Sequence, residues 1–355
     1  MSDFIHSIGL AEIVAGVIVV VLNAYVLMGG ADYGGGVWDL LASGPRRAAQ
    51  RDLIANSLAP IWEANHVWLI VVVVMMFTAF PAAFGMLGTV LHIPITLLLV
   101  GIVLRGSAFV FRSYGTGTSA HRHSWGLAFA IASAVTPILL GIIIGAVASE
   151  DVATAAGQIG NATFATVFVA PWFAAFPFAV GCLALALFAF LAAIYLTLEA
   201  KDDALREDFR RRALGAAVAV FVFAAVTLLL SRPTAPRMTA GIVSAPWSLG
   251  LHVCTALSAI TAIVALWYRR YPVARVAAAA QVSLILWGWP LAQYPFIIPN
   301  TLTIQAAAAP PVTLKLLLAG LAGGGAILLP SLRYLFRTFA GHAAERARSG
   351  DEHAS

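Results

Sequence analysis

The chain has 355 residues, of which 61% are apolar and only 10% charged, with a formal net charge of +5 and a mean hydropathy of +0.91. So little charge cannot clothe a soluble domain, and the apolar runs are long enough to cross a bilayer as helices. A basic balance would suit nucleic acid, but the arginines gather in short segments between apolar runs, as membrane topology demands, which excludes that partner.

Nine spans follow in chain order. Met1-Ser2-Asp3-Phe4 lacks the basic segment and cleavage site of a signal peptide, so the first span, Leu10 to Met28, is expected to stay. Gly29-Gly30 reads as its stop, and Gly30-Ala31-Asp32-Tyr33-Gly34-Gly35-Gly36 as a glycine-flanked turn beyond it. The second span, Glu63 to Phe80, opens within Pro60-Ile61-Trp62-Glu63-Ala64-Asn65-His66-Val67-Trp68-Leu69-Ile70, which sets a carboxylate, an amide and an imidazole at the mouth of an apolar helix. The third runs from Phe84 to Leu104 and the fourth from Trp125 to Ala148. After a break at Pro171-Trp172 come Pro177 to Thr197, Ala213 to Leu230 and Leu249 to Tyr268, then Val276 to Gln293 and Val312 to Leu329. Residues 1–340 thus read as one all-α polytopic membrane domain, with 341–355 as a polar cytoplasmic tail. Cys182 and Cys254 lie inside apolar runs, where cysteine acts as a small hydrophobe.

The basic residues take sides. Arg46, Arg47 and Arg51 follow span one; Arg105, Arg112 and Arg122 follow span three. Lys201, Arg206 and Arg210–Arg212 follow span five, Arg269, Arg270 and Arg275 follow span seven, and Arg333, Arg337, Arg346 and Arg348 close the tail. The other side holds only Arg232 and Arg237, with Lys315 just inside span nine. This asymmetry puts the N-terminus outside and the C-terminus in the cytoplasm. Asp32 and Glu63 then both face the cytoplasm, on helices expected to be antiparallel neighbours, with Trp38 and Trp62 in an interfacial aromatic belt.

Each carboxylate has two readings. Glu63 in a first helical turn after Pro60 favours the helix dipole, and Asp32 can be an ordinary turn residue. Alternatively, acids at membrane depth with Asn65, His66 and trapped water form a proton relay. Spacing alone leaves both open. Asn23 and Gln281 are expected as interhelical hydrogen-bond partners and Lys315 to snorkel. His92 and His252 are the candidate haem ligands, if two transmembrane histidines share a depth.

Taken together, these segments resemble the second subunit of cytochrome bd-type quinol oxidases. Gly30-Ala31-Asp32-Tyr33-Gly34 partly matches that family's Gly-Phe-Asp-x-Gly turn, and Ala59-Pro60-Ile61-Trp62-Glu63-Ala64-Asn65-His66-Val67-Trp68-Leu69-Ile70 its Ala-Pro-x-Trp-Asp-x-Asn-x-Val-Trp-Leu-Ile. Arg105-Gly106-Ser107-Ala108-Phe109-Val110-Phe111-Arg112, Tyr294-Pro295-Phe296-Ile297-Ile298-Pro299, Leu302-Thr303-Ile304 and Thr313-Leu314 match further motifs, from the first helix to the last. The resemblance implies nine helices in two four-helix bundles plus one peripheral helix, in a bacterial cytoplasmic (inner) membrane. It implies a haem-bearing subunit I as partner, which carries haems b and d, oxidises quinol and reduces oxygen to water. A small accessory subunit, a structural quinone and contact with membrane lipid and the quinol pool also come with it. This chain would bind no haem and carry out no catalysis of its own. It would supply scaffold and a cytoplasmic proton path through Asp32, Glu63, Asn65 and His66, with Trp62 and Trp68 as path walls or an oxygen passage. Departures are Glu63 for the family's aspartate, Ala31 for its phenylalanine, and Val110 where an acid is usual. The rival functions are a proton-coupled secondary transporter, a haem-binding membrane cytochrome using His92 and His252, and a structural anchor with inert carboxylates.

Overall fold

The structure, a computed structural model, describes residues 9–58, 62–114, 119–328 and 330–331, apart from the side chains of residues 58, 62–64, 113–114 and 119–123. The polar tail at 341–355 lies outside the described residues. In chain order the helices are α1 Leu10–Leu40, α2 Arg47–Leu58, α3 Trp62–Ala79, α4 Pro81–Val90, α5 His92–Tyr114 and α6 Ser119–Ala148. Two short helices, α7 Asp151–Gly157 and α8 Phe164–Phe168, precede α9 Ala175–Glu199 and α10 Asp203–Thr234. Then come α11 Pro236–Ser244, α12 Ser248–Trp267 and α13 Tyr271–Gln293. A small antiparallel hairpin, β1 Phe296–Ile298 with β2 Leu302–Thr303, leads through α14 Ile304–Ala307 to α15 Pro311–Leu328.

Among the described residues, eight helices are long and apolar enough to span a membrane, and nine if α3 and α4 count as one bent span. The groups α1, α3, α5, α6 and α9, α10, α12, α13 form two four-helix assemblies, joined where α9 packs against α1 and α6. α9 is the most buried span and α15 the least, so α15 is the peripheral helix, resting Leu317, Leu318 and Leu321 on the cluster around Ala11 and Val14. The same cluster brings Met75 and Ala79, near the end of α3, to the start of α1, while Asn65 near the beginning of α3 meets Asp32 late in α1. α1 and α3 are therefore antiparallel, as expected.

Two boundaries differ from expectation. α1 does not stop at Gly29-Gly30 but continues unbroken to Leu40. Asp32 is thus inside a helix, not in a turn. The third span begins at His92 rather than Phe84, because α4 turns away from α3 by 116°. The cause is Pro81: it lacks an N–H and crowds the residue before it, so Phe80 leaves the helical region (φ −132°, ψ 58°). Ala235 before Pro236 breaks α10 from α11 with almost the same angles (φ −134°, ψ 60°).

The basic ends of alternate spans share one face. Arg46 pairs bidentately with Asp208 at 2.8 and 2.6 Å, tying α2 to α10, and Arg212 reaches Gln50 at 2.7 Å. Arg269, after α12, lies 3.6 Å from Glu207. Asp39 at the end of α1 is 1% exposed and accepts Arg112 through both oxygens at 3.0 and 3.1 Å, with Arg51 at 3.7 Å. Asp39→Ala leaves two largely covered guanidinium groups, Arg112 and Arg51, without their shared carboxylate and empties its buried site, so it is expected to lower stability by about 2–3 kcal/mol. Asp203, 93% exposed in its pair with Arg206, should cost under ~1 kcal/mol when replaced by alanine. Thermal inactivation of the two variants in detergent measures the contrast; equal midpoints would refute the assignment.

Two members of the sequence tally sit elsewhere. Arg105, counted with the loop after span three, is 1% exposed inside the bundle. Trp38, expected in an interfacial belt, is buried and donates its indole N–H to the Ala189 carbonyl at 2.8 Å. Both residues belong to α1 or α5 turns that apolar periodicity had assigned to loops, because those helices run on past their hydrophobic stretches.

A buried polar cluster between α1, α3, α5 and α6

The site is built on the last turns of α1. Asp32 lies between Gly30 and Gly34, on a stretch where the absence of side chains lets neighbouring helices come close. Against it, the first described turn of α3 presents Asn65 and His66. Asn65 is 4% exposed and donates its amide N–H to Asp32 Oδ2, and less closely, at 3.5 Å, to the Met28 carbonyl. Asp32 Oδ1 is buried with no hydrogen-bond partner among the described residues. The same is true of both ring nitrogens of His66. Buried polar atoms left in this state are the usual sites for internal water.

Four further residues complete the cluster. Tyr25 and Tyr33, both fully buried on α1, join through a 3.3 Å hydroxyl–hydroxyl bond donated by Tyr25. The His66 ring lies 6.5 Å from the Tyr25 ring and 6.0 Å, edge-on, from that of Tyr33. Arg105 of α5 stacks its guanidinium 4.7 Å above Tyr33 and 5.2 Å from Phe129, and donates its Nε–H to Ser133 Oγ at 3.1 Å. Among the described residues no carboxylate lies within 4.0 Å of it, so aromatic faces and Ser133 hold this buried cation in place. Four helices thus converge on one acid, one amide, one imidazole, two phenols and one guanidinium.

The structure brings Asp32, Asn65 and His66 together and supports the expected pairing of the two motifs. The side chains of Trp62 and Glu63 lie outside the described residues. Trp68 is half-buried against the same core. His92 and His252 stand apart from the cluster. His92 Nδ1 lies 2.9 Å from the Thr89 carbonyl and its ring packs against Phe164 and Phe168, while His252 Nδ1 lies 2.6 Å from the Ser248 carbonyl. Asn23, expected to bond across helices, leaves Oδ1 buried without a partner among the described residues; Gln281 is buried on α13 and Lys315 exposed on α15. Among the described residues, no group of three or more His, Cys, Asp or Glu is placed to hold a metal ion. Tyr25, Tyr33, Arg105 and Ser133 were not singled out from the sequence. The seven-residue step from Tyr25 to Asp32 returns to the same helix face and was the available signal, hidden once α1 was read as ending at Met28.

Fold and site together define a multi-pass helical membrane protein with a titratable cluster inside one four-helix assembly. A family model for "Cytochrome bd terminal oxidase subunit II" matches residues 10–339, so the chain belongs to that family, whose members are multi-pass proteins of the bacterial cytoplasmic membrane. A similar relative is the "Putative cytochrome bd menaquinol oxidase subunit II" of Bacillus subtilis (strain 168), 23% identical over 324 residues, which cover 89% of this chain and 91% of the relative. The "Cytochrome bd-I ubiquinol oxidase subunit 2" of Escherichia coli (strain K12) is 29% identical over 126 residues, 36% of this chain and 32% of the relative. In fold, the chain is similar to one in "The structure of bd oxidase from Geobacillus thermodenitrificans", with a TM-score of 0.76 at 21% identity, covering 93% of this chain and 98% of that one.

Proposed function

We propose that this chain pairs with a haem-bearing first subunit that oxidises quinol and reduces oxygen to water, and that it feeds protons to that reaction from the cytoplasmic face. The observation that carries the reading is Asp32: a buried acid with one oxygen bonded to Asn65 and the other without a partner among the described residues, beside an imidazole in the same condition. Asn65 fixes the carboxylate and leaves Oδ1 free to take a proton from an internal water and pass it on. His66 accepts at one ring nitrogen and releases from the other. Glu63, at the start of α3, collects protons at the mouth, and Trp62 and Trp68 wall the passage. The N-terminus is outside and the C-terminus cytoplasmic, in line with the arginine-rich ends that share one face. Haems b and d belong to the partner and supply the electron transfer and oxygen chemistry; a structural quinone, bound lipid and a small accessory subunit remain part of the proposed assembly. His92 and His252 are given no haem.

Purification of the chain from native membranes tests the assembly. A larger co-purifying chain, a haem signal in the reduced-minus-oxidised spectrum and quinol-dependent oxygen uptake are expected. Isolation of a haem-free chain with no partner would overturn the reading in favour of transport. At the mouth, Glu63→Gln is expected to slow turnover about 10-fold, less than loss of Asp32, because bulk water can still reach the entrance. Oxygen uptake by the purified complex reads the difference, and an unaltered rate would remove Glu63 from the path.

A further inference from the structure

Beyond Asp32 the cluster continues along α1 in a direction the acid and amide do not explain. Tyr25 lies seven residues before Asp32 on the same face, about 10 Å farther along the helix axis at the usual rise. Its ring is turned in an unusual way. Aromatic side chains on helices lean toward the N-terminus, but Tyr25 lies back over the following turn: a Cβ added at Gly29 would meet Tyr25 Cε2 at 3.0 Å and Cδ2 at 3.2 Å. Gly29 therefore leaves the space that lets the Tyr25 phenol point down the helix toward Tyr33. There it donates to the Tyr33 oxygen, and the His66 ring sits beside both rings with its two nitrogens unbonded among the described residues.

A core that needed only volume would be filled by phenylalanine, as Phe188 does where it stacks 6.1 Å from Tyr33. Buried hydroxyls with incomplete bonding are unfavourable, so their placement in one file with an orphaned imidazole and an orphaned carboxylate oxygen calls for a role. We propose that Tyr33 and Tyr25 extend the proton relay past Asp32, with Tyr25 its far station. The inference rests on the reading of Asp32 as a proton carrier. Each phenol oxygen takes a proton on a lone pair as its own O–H proton passes on, from Tyr33 to Tyr25 once the Tyr25 O–H has swung off Tyr33, and from Tyr25 to internal water, so every station returns to its neutral form and no electron moves. Water bridges the ring-to-ring gaps, which are too wide for direct hydrogen bonds. Arg105 faces this file from α5, Ser133 from α6, Asn65 from α3 and Phe188 from α9.

The test uses the whole oxidase complex in liposomes, comparing Tyr25→Phe, Tyr33→Phe and Asp32→Asn. Single-turnover proton uptake, its solvent isotope effect and the haem difference spectrum are read for each. Tyr25→Phe and Tyr33→Phe are each expected to slow proton uptake about 10-fold or more and raise the isotope effect, with the haem spectrum unchanged. Gly29→Ala, which keeps both hydroxyls but displaces the Tyr25 ring, should slow uptake in the same manner and serves if Tyr25→Phe fails to assemble. Wild-type uptake in the tyrosine variants alongside a slow Asp32→Asn overturns the relay and leaves the Asp32 reading standing. Wild-type uptake in all variants overturns both. A slowing that merely tracks lost haem, with an unchanged isotope effect, marks the tyrosines as packing and also overturns the relay.

Discussion

Asp32→Asn is expected to leave an assembled complex whose quinol-driven oxygen uptake is about 100-fold slower, the size of effect usual when a positioned proton carrier is lost. The substitution keeps the shape of the side chain and an oxygen able to accept from the Asn65 amide, so the contact between α1 and α3 is retained. What disappears is the group that holds a proton. Oxygen consumption and internal pH change, measured together in liposomes, check this; normal turnover with normal alkalinisation would mean the acid is inert. A parallel loss of haem and turnover would point instead to failed assembly. Asn65→Leu should be milder in chemistry but harsher in structure, because it leaves a buried carboxylate without its donor, a change expected to cost roughly 1–3 kcal/mol.

The second large effect falls on Gly34. A Cβ there would lie 2.0 Å from the Phe188 carbonyl oxygen and 2.5 Å from its carbon, both main-chain atoms of α9. No rotamer change relieves such a contact; α1 and α9 must separate along the seam that joins the two four-helix groups. Gly34→Ala is therefore expected to destabilise the chain by about 3 kcal/mol, the upper end of ordinary overpacking. Gly85 provides the control, since nothing stands within 4 Å of its added Cβ. Thermal inactivation in detergent should fall markedly for the first variant and stay level for the second. Equal midpoints would show that the helices do not approach this closely.

Most of the architecture was legible because apolar runs and arginine placement are strong signals in a membrane chain. The errors have physical causes. Hydropathy reads Phe84 to Leu104 as one span, but the backbone conformation imposed on Phe80 by Pro81 turns α4 away from α3, and a second break at Leu91 separates α4 from α5. Glycines after Met28 signal a stop in water, whereas here neighbouring helices fill the space beside them and the helix runs on to Leu40. That misreading placed Asp32 in a turn and hid Tyr25 and Tyr33 as members of its surroundings. Arg105 was tallied as a topology marker because a lone arginine after an apolar run usually is one; its aromatic support comes from Tyr33 and Phe129, on two other helices. Asp32, Asn65 and His66 were found because polar groups at membrane depth stand out against their neighbours.

The glycine content of α1 also bears on how the protein is made. Gly29, Gly30, Gly34, Gly35 and Gly36 each weaken a helix by about 1 kcal/mol relative to alanine, so the C-terminal half of the first span has little intrinsic reason to be helical. Its supports are Asn65 on α3, Ser133 on α6 and Phe188 on α9, all synthesised later. The segment bearing Asp32 is therefore synthesised before any of the neighbours that pack against it. A chain truncated before α9 is accordingly expected to leave this half of α1 without Phe188, the neighbour its glycines approach most closely.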